Sequence, residues 1–375
     1  MNRRTALYTL AGATAAAAKS AETNPTGARW ALQYFYDRKD EKFTINDFRF
    51  TTARHGIAVG WVTEKSGKPK PMSILSNDGG AQWELQPLPD VGLSVFFLND
   101  SIGWLVAEKT LWRTDDGGAK WKKLKIPKDA NINRVHFRDE NRGWAVCDRK
   151  KVLATTDGGQ NWTELAAATE PNANPDYTSY GWIEFLNAKD GIIVGSSLPP
   201  RPGDNRPAWM DPEGASKRRE WPSTTLTLET RDGGNTWKAQ SAPAFGQTTR
   251  FRPTPDGGGL VLIRFANTFD WPSEVYLVNK GASTRAYREK DRVVTDCGWL
   301  APNRALLAAI EPPGRLPQLP VPGKLHILES GAAITDWREM KVDYRAFGTR
   351  AMLSILNPDL AWVATDTGQI LHLAN

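Results

Sequence analysis

Four near-copies of one eight-residue phrase constrain this chain more than anything else in it. They are Ser76-Asn77-Asp78-Gly79-Gly80-Ala81-Gln82-Trp83, Thr114-Asp115-Asp116-Gly117-Gly118-Ala119-Lys120-Trp121, Thr155-Thr156-Asp157-Gly158-Gly159-Gln160-Asn161-Trp162 and Thr230-Arg231-Asp232-Gly233-Gly234-Asn235-Thr236-Trp237. The shared pattern, Ser/Thr-x-Asp-Gly-Gly-x-x-Trp, reads as a hairpin turn. The Asp can hydrogen-bond the backbone just ahead of it, the glycines accept positive φ, and the Trp covers the turn from the returning strand. The four tryptophans are separated by 38, 41 and 75 residues, the last being one period plus a long insertion. A period near forty with about four β-type runs per unit specifies a β-propeller blade.

The blades can be drafted from the runs between turns. The first takes Phe43–Phe50, Gly56–Val62, Met72–Leu75 and Trp83–Leu85; the second Leu93–Leu98, Gly103–Ala107, Thr110–Arg113 and Trp121–Leu124. The third takes Val135–Phe137, Gly143–Cys147, Val152–Thr155 and Trp162–Leu165; the fourth Trp182–Leu186, Gly191–Gly195, Thr224–Glu229 and Trp237–Ala239. Beyond Trp237 the turn phrase stops but the rhythm continues, with Leu260–Phe265 and Val275–Val278 in a fifth unit and Leu306–Ile310 and Leu325–Leu328 in a sixth. A seventh unit, Met352–Leu356, Ala361–Ala364 and Gln369–Leu373, ends one strand short, and Trp30–Tyr36 is a strand with no blade of its own. Pairing Trp30–Tyr36 with Ile370–Leu373 would close the ring and hide two sheet edges. The expected fold is therefore all-β: a seven-bladed propeller of four-stranded antiparallel blades, closed by an N-terminal strand. With 40% hydrophobic residues and 16 tryptophans there is ample material for its core.

Residues 1–21 are set apart. Asn2-Arg3-Arg4 is a basic start, residues 5–18 are apolar or small, and Lys19-Ser20-Ala21 offers a small-residue cleavage end, which are the parts of a secretory signal. The paired arginines ahead of Leu7 hint at the twin-arginine route, although Ala6 holds the usual aromatic position. The chain thus divides into a signal at 1–21 and one propeller domain at 29–375 with an insertion at 199–222, exported to the periplasm or the extracellular space. Losing Arg3, Arg4 and Lys19 halves the formal charge from +6 to +3. Between Glu108 and Lys151 there are 13 Lys or Arg against 7 Asp or Glu, so one side of the disc should be positive and able to steer toward an acidic protein or membrane surface. Nucleic acid is disfavoured by the export signal and the low total charge. Cys147 and Cys297 lie in different repeats and are expected as two buried thiols.

In a four-stranded antiparallel blade the first–second and third–fourth turns share one face, which carries the Asp turns. The long irregular stretches Glu64–Pro71, Pro199–Pro222, Ala266–Ser273 and Glu311–Lys324 fall between second and third strands, and Pro171–Tyr180 falls between blades. All five belong to the opposite face, and loops elaborated on one face of a rigid scaffold mark a binding surface. The candidate partner-binding residues there are Tyr177, Tyr180, Arg206, Trp209, Arg218, Arg219, Trp221 and Trp271. Exposed aromatics suit peptide or sugar contact, while the structural alternative is that they pin long loops to the disc.

Catalytic constellations are missing. There are four histidines, of which His326 and His372 occupy similar third strands and His55 and His136 are isolated. No metal-ligand spacing, nucleophile elbow or phosphate loop occurs, and Asp256-Gly257-Gly258-Gly259 reads as a turn. No metal, cofactor or catalytic residue is expected.

With these repeats the chain resembles the BNR or Asp-box propellers and, more narrowly, is similar to the photosystem II assembly and stability factor family. The Gly-Trp strands Gly60-Trp61, Gly103-Trp104 and Gly143-Trp144, each followed at blade spacing by an Asp-Gly-Gly-x-x-Trp turn, carry the resemblance over residues 43–240. It implies an exported, non-enzymatic scaffold that binds a protein partner, a membrane protein in that family; separately, the chain is expected as a monomer. The competing reading is a secreted glycoside hydrolase or sialidase-like enzyme with a carbohydrate ligand. For a sialidase the nearest string, Phe251-Arg252-Pro253, is misplaced, and Asp176, Asp211 and Asp270 are loop acids with nothing to single out a pair.

Overall fold

The computed structural model describes residues 28–65, 67–200, 213, 220–265, 271–279, 281–312 and 322–374. Seven sheets follow one another around a ring, each a four-stranded antiparallel blade, with Lys341–Val342 added in parallel to the N-terminal strand of one. Blade 1 is Glu41–Phe50, Gly56–Glu64, Pro69–Ser76 and Glu84–Pro87, and blade 2 is Ser94–Phe97, Gly103–Val106, Leu111–Thr114 and Lys122–Leu124. Blade 3 is Ile132–Phe137, Gly143–Cys147, Val152–Thr155 and Thr163–Glu164, and blade 4 is Thr178–Phe185, Gly191–Ser197, Pro222–Thr230 and Lys238–Phe245. Blades 5 and 6 begin with Gln247–Pro253 and Val293–Ala301, two inner strands that the repeat pattern alone did not reveal. Blade 7 is Ala351–Asn357, Leu360–Thr365 and Gln369–Ala374, completed by the N-terminal Arg29–Phe35. The closing register pairs Trp30 with Leu373 and Leu32 with Leu371, and Trp30 is 1% exposed. The ring is therefore locked by side-chain burial as well as by the ladder.

The repeated phrase makes the turn it spells. In the third copy the Thr155 hydroxyl donates to Asp157 Oδ1 at 2.9 Å and accepts from the Gly159 N–H at 3.0 Å. Asp157 Oδ1 in turn accepts from the N–H groups of Gln160 and Asn161. Gly158 and Gly159 sit at φ 74° and 94°, where a side chain would strain the backbone. Each Asp is held below the usual carboxylate range by such bonds, led in Asp157 by the Asn161 N–H, which takes it to about 2.

The tryptophans and the Gly-Trp strands build one repeated aromatic joint between blades. Trp104 stacks on Phe137 of the next blade at 3.6 Å between centroids, Trp144 on Phe185 at 4.9 Å, and Trp362 of the last blade on Phe50 of the first at 3.7 Å. The turn Trp of the same blade then meets that Phe edge-on: Trp83 on Phe50, Trp121 on Phe97, Trp162 on Phe137 and Trp237 on Phe185. Each such pair contributes about 0.5–1.5 kcal/mol beyond its burial. A glycine opposite the Phe makes room for the ring: a Cβ on Gly143 would lie 2.4 Å from Phe137. The same Phe–Gly pairing places Gly56-Ile57 where Gly60-Trp61 was expected, because Gly56 faces Phe50 while Gly60 lies at mid-strand, opposite Ile45.

Cys147 and Cys297 are free and buried. No helix among the described residues is long and apolar enough to cross a membrane.

Candidate functional site

First strands run toward the Asp-turn face and second strands away from it, so every strand end can be assigned to a face. Among the described residues nine large apolar or aromatic side chains are exposed. Eight belong to the face opposite the Asp turns or to the connections that form it: Phe35, Leu93, Tyr177, Leu198, Trp221, Phe245, Tyr344 and Phe347; Leu356 alone lies at the other face. Four of the eight meet at one end of blade 4. The Leu198 N–H bonds the Tyr177 carbonyl at 2.8 Å, and Pro222 pairs with Phe245, which sets Trp221 beside it. Tyr177, Leu198, Trp221 and Phe245 are each 39–44% exposed, at the foot of the 199–222 insertion.

The sequence-derived residues separate accordingly. Tyr177 and Trp221 stand in this patch. Trp271 lies on the same face in blade 5, half-buried, with the Arg288 guanidinium 4.2 Å from its ring centroid and the Lys290 ammonium at 5.1 Å. Tyr180 is corrected: it is fully buried, and its hydroxyl donates to the Ala168 carbonyl at 2.9 Å, so it pins the connection between blades 3 and 4 to the disc. Arg206, Trp209, Arg218 and Arg219 lie outside the described residues, as do Asp211, Asp270 and the signal segment 1–21. Asp176 is exposed and pairs with Arg149 at 2.9 Å. The basic excess forms part of the rim, where Lys120, Lys122, Lys123, Lys125 and Lys128 flank the outer strand of blade 2 and are all exposed.

The central channel carries chemistry that the repeat pattern hid. It is a cavity of about 460 Å³ lined by all seven inner strands, and its lining extends to Thr51, Leu98, Leu186 and Leu356 at the Asp-turn face. Bulges at Asn46, Asn133, Gly181 and Thr249 re-aim the residues that follow them, Asp47, Arg134, Trp182 and Arg250. The guanidinium carbons of Arg134, Arg250 and Arg252 lie 4.4, 4.4 and 4.8 Å from the Trp182 ring centroid. On the side of blades 4 to 6, Arg252 bonds Glu184 at 2.9 Å and Asp296 at 3.2 Å, and Arg250 bonds Asp296 at 3.2 Å. Burial opposes the charge of Arg252, but Glu184 and Asp296 outweigh it and raise its pKa.

On the side of blades 1 to 3, Asp47 accepts from the N–H groups of Phe48 and Val95, both at 3.0 Å, from Ser94 Oγ at 2.8 Å and from Arg134 at 3.4 Å. Burial alone would raise its carboxyl, yet Arg134 and these donors hold it below the usual range. Arg134 and Arg49 are both depressed, first by burial and then, for Arg49, by the nearby Arg134. His136 packs between Phe96 and Phe185 at 4.8 and 5.0 Å, and burial with the two arginines pushes it down to about 3. The channel carboxylates Asp47, Glu184 and Asp296 are all taken up by arginine and backbone or indole donors. A glycosidase acid must instead be kept protonated. No group of three metal-ligating side chains occurs among the described residues.

Comparison with known proteins completes the picture. A family model described as photosynthesis system II assembly factor YCF48 matches residues 87–165 and 119–198, which take in blades 2 and 3 and the first two strands of blade 4. The photosystem II assembly lipoprotein Ycf48 of Synechococcus sp. (strain CC9902) is 28% identical over 181 residues, which is 47% of this chain and 45% of that protein, so the match spans less than half of the relative's length. A solved structure of YCF48 bound to a D1 peptide superposes with TM-score 0.60 at 17% identity, covering 95% of this chain and 97% of that one. The GH74 xyloglucanase of Xanthomonas campestris shares the fold at TM-score 0.58 and 9% identity, covering 92% of this chain and 53% of its own. The chain is a BNR-type repeat propeller similar to the photosystem II assembly factors.

Proposed function

We propose that the protein is an exported, non-catalytic propeller that binds a protein partner as an assembly scaffold, through the face opposite the Asp turns. The observation that carries this is the one-sided placement of exposed apolar side chains, eight of nine among the described residues on that face and four of them at blade 4. Apolar side chains exposed together at one end of a blade, at the foot of an insertion, fit polypeptide docking, with Trp221 and Tyr177 as aromatic anchors. A polypeptide partner agrees with the related YCF48 structure that holds a D1 peptide. Export agrees with the signal-like residues 1–21 and with the lipoprotein nature of the Synechococcus relative. The protein acts as a monomer, and a membrane protein is the partner class that the resemblance favours.

The test compares two variants of the full chain purified from its own cells. Trp221→Ser/Phe245→Ser should lose the proteins that co-purify with wild type, while Leu356→Ser on the opposite face should retain them. Retention by the first variant overturns the face assignment, and a wild-type protein that recovers no partner overturns the scaffold reading.

A further inference from the structure

The channel is unevenly balanced in charge. In blades 4 to 6 two arginines, Arg250 and Arg252, share two carboxylates, Glu184 and Asp296. In blades 1 to 3 two arginines, Arg49 and Arg134, share one, Asp47, and only Arg134 bonds it, at 3.4 Å. Arg49 has no ion pair or hydrogen bond among the described residues; its guanidinium lies 4.9 Å from the Phe96 ring centroid. His136, beside it, also has no hydrogen-bond partner among the described residues, and as a neutral imidazole it offers one N–H donor. An under-paired guanidinium in a partly desolvated channel is costly unless something supplies the missing charge. The cavity in front of it, about 460 Å³, is ample for a small organic acid or an inorganic oxyanion.

We propose that this side of the channel is a binding site for a small oxyanion, a carboxylate or a tetrahedral phosphate or sulfate, held by Arg49 with Arg134 and His136 as its further contacts. The planar guanidinium fork matches both oxyanion shapes. Arg49 and Phe96 both line the cavity, so the guanidinium stands against an aromatic ring at the cavity wall. The site lies toward the Asp-turn face and the apolar patch lies on the other, so the two can be occupied independently, and failure of either leaves the other standing.

Calorimetric titration of the full chain in low-chloride buffer, with inorganic phosphate, sulfate, acetate and citrate as separate probes, tests the site. At least one should saturate with a dissociation constant below about 1 mM, and the phosphate and citrate arms distinguish an inorganic oxyanion from a carboxylate. Arg49→Gln should weaken that probe by about 10- to 100-fold, and Arg49→Lys by less. Without any probe, Arg49→Gln should melt at or above wild type at low ionic strength, because an under-paired charge has been removed. The proposal is overturned if no probe saturates, if Arg49→Gln binds as wild type does, or if the ligand-free variant melts well below wild type.

Discussion

Removing the Asp47 side chain tests the electrostatic account of the channel in a way that a packing argument does not. Asp47→Ala deletes the acceptor of two buried backbone N–H groups, Phe48 and Val95, and of the Ser94 hydroxyl, and it leaves Arg134 beside Arg49 with no carboxylate in contact. An orphaned buried N–H costs about 1–3 kcal/mol, and breaking a buried pair from one side costs about 3–5 kcal/mol. The Arg134 side chain is 20% exposed, which discounts the charge contribution, so the expected loss is about 3 kcal/mol in total. Urea unfolding followed by tryptophan fluorescence reads this directly. Combining it with Arg49→Gln should restore part of the loss, since one of the two stranded cations is then gone. The folded-state pKa of Asp47 lies below its unfolded value, so its contribution is complete above the ordinary carboxyl range and is lost as pH falls through the depressed value. Asp47→Asn should therefore flatten the acid limb of the stability profile. A loss within about 1 kcal/mol for Asp47→Ala would refute the reasoning.

Other outcomes follow from single geometries. Gly143→Ala drives a methyl to 2.4 Å from Phe137, whose ring is sandwiched by Trp104, and should cost about 1–3 kcal/mol in the same urea assay; an unchanged midpoint would show that the joint is loose. His136 should stay neutral in NMR titration down to about pH 3, and it should titrate higher in Arg49→Gln; a normal titration near 6.5 places it outside the arginine field. Since its folded pKa is depressed, it favours the folded state above the unfolded value and penalises it progressively as pH falls toward 3. Cys147 and Cys297, buried and pushed up to about 12 by that burial, should react with Ellman's reagent only after unfolding.

The architecture was legible because it is written in repeated local chemistry. Asp-Gly-Gly fixes a turn wherever it stands, and the Trp after it must return over that turn, so period, blade order and face follow from spacing. Ring closure was legible from one missing strand and one spare. Blade 5 was the hardest to read because its inner strand, Gln247–Pro253, is polar and carries two channel arginines, so it shows no apolar run. The Gly60-Trp61 misalignment has the same root. A dipeptide was matched where the physical constraint is a glycine opposite a phenylalanine, a pairing visible only across the sheet.

The site divides in the same way. Insertions of the second-to-third connections fixed a face, and Tyr177 and Trp221 proved exposed there. Tyr180, three residues from Tyr177, turned inward, because the strand begins at Thr178 and alternation sends its ring to the core. The channel set is drawn, one or two residues at a time, from the inner strands of five blades: Asp47, Arg49, Arg134, His136, Glu184, Arg250, Arg252 and Asp296. Nothing in linear spacing brings them together; only the register after each bulge does. A search of the position equivalent to Asp47 in every inner strand would have found several of them.

The most direct measurement is site-specific photo-crosslinking in the native cells, with a photoreactive residue placed in turn at Trp221, Phe245 and Leu198 on the loop face and at Leu356 and Thr51 on the Asp-turn face. The account predicts one discrete protein adduct from the three loop-face positions and none from the other two. An adduct formed from Leu356 or Thr51, with the loop-face positions silent, would contradict it.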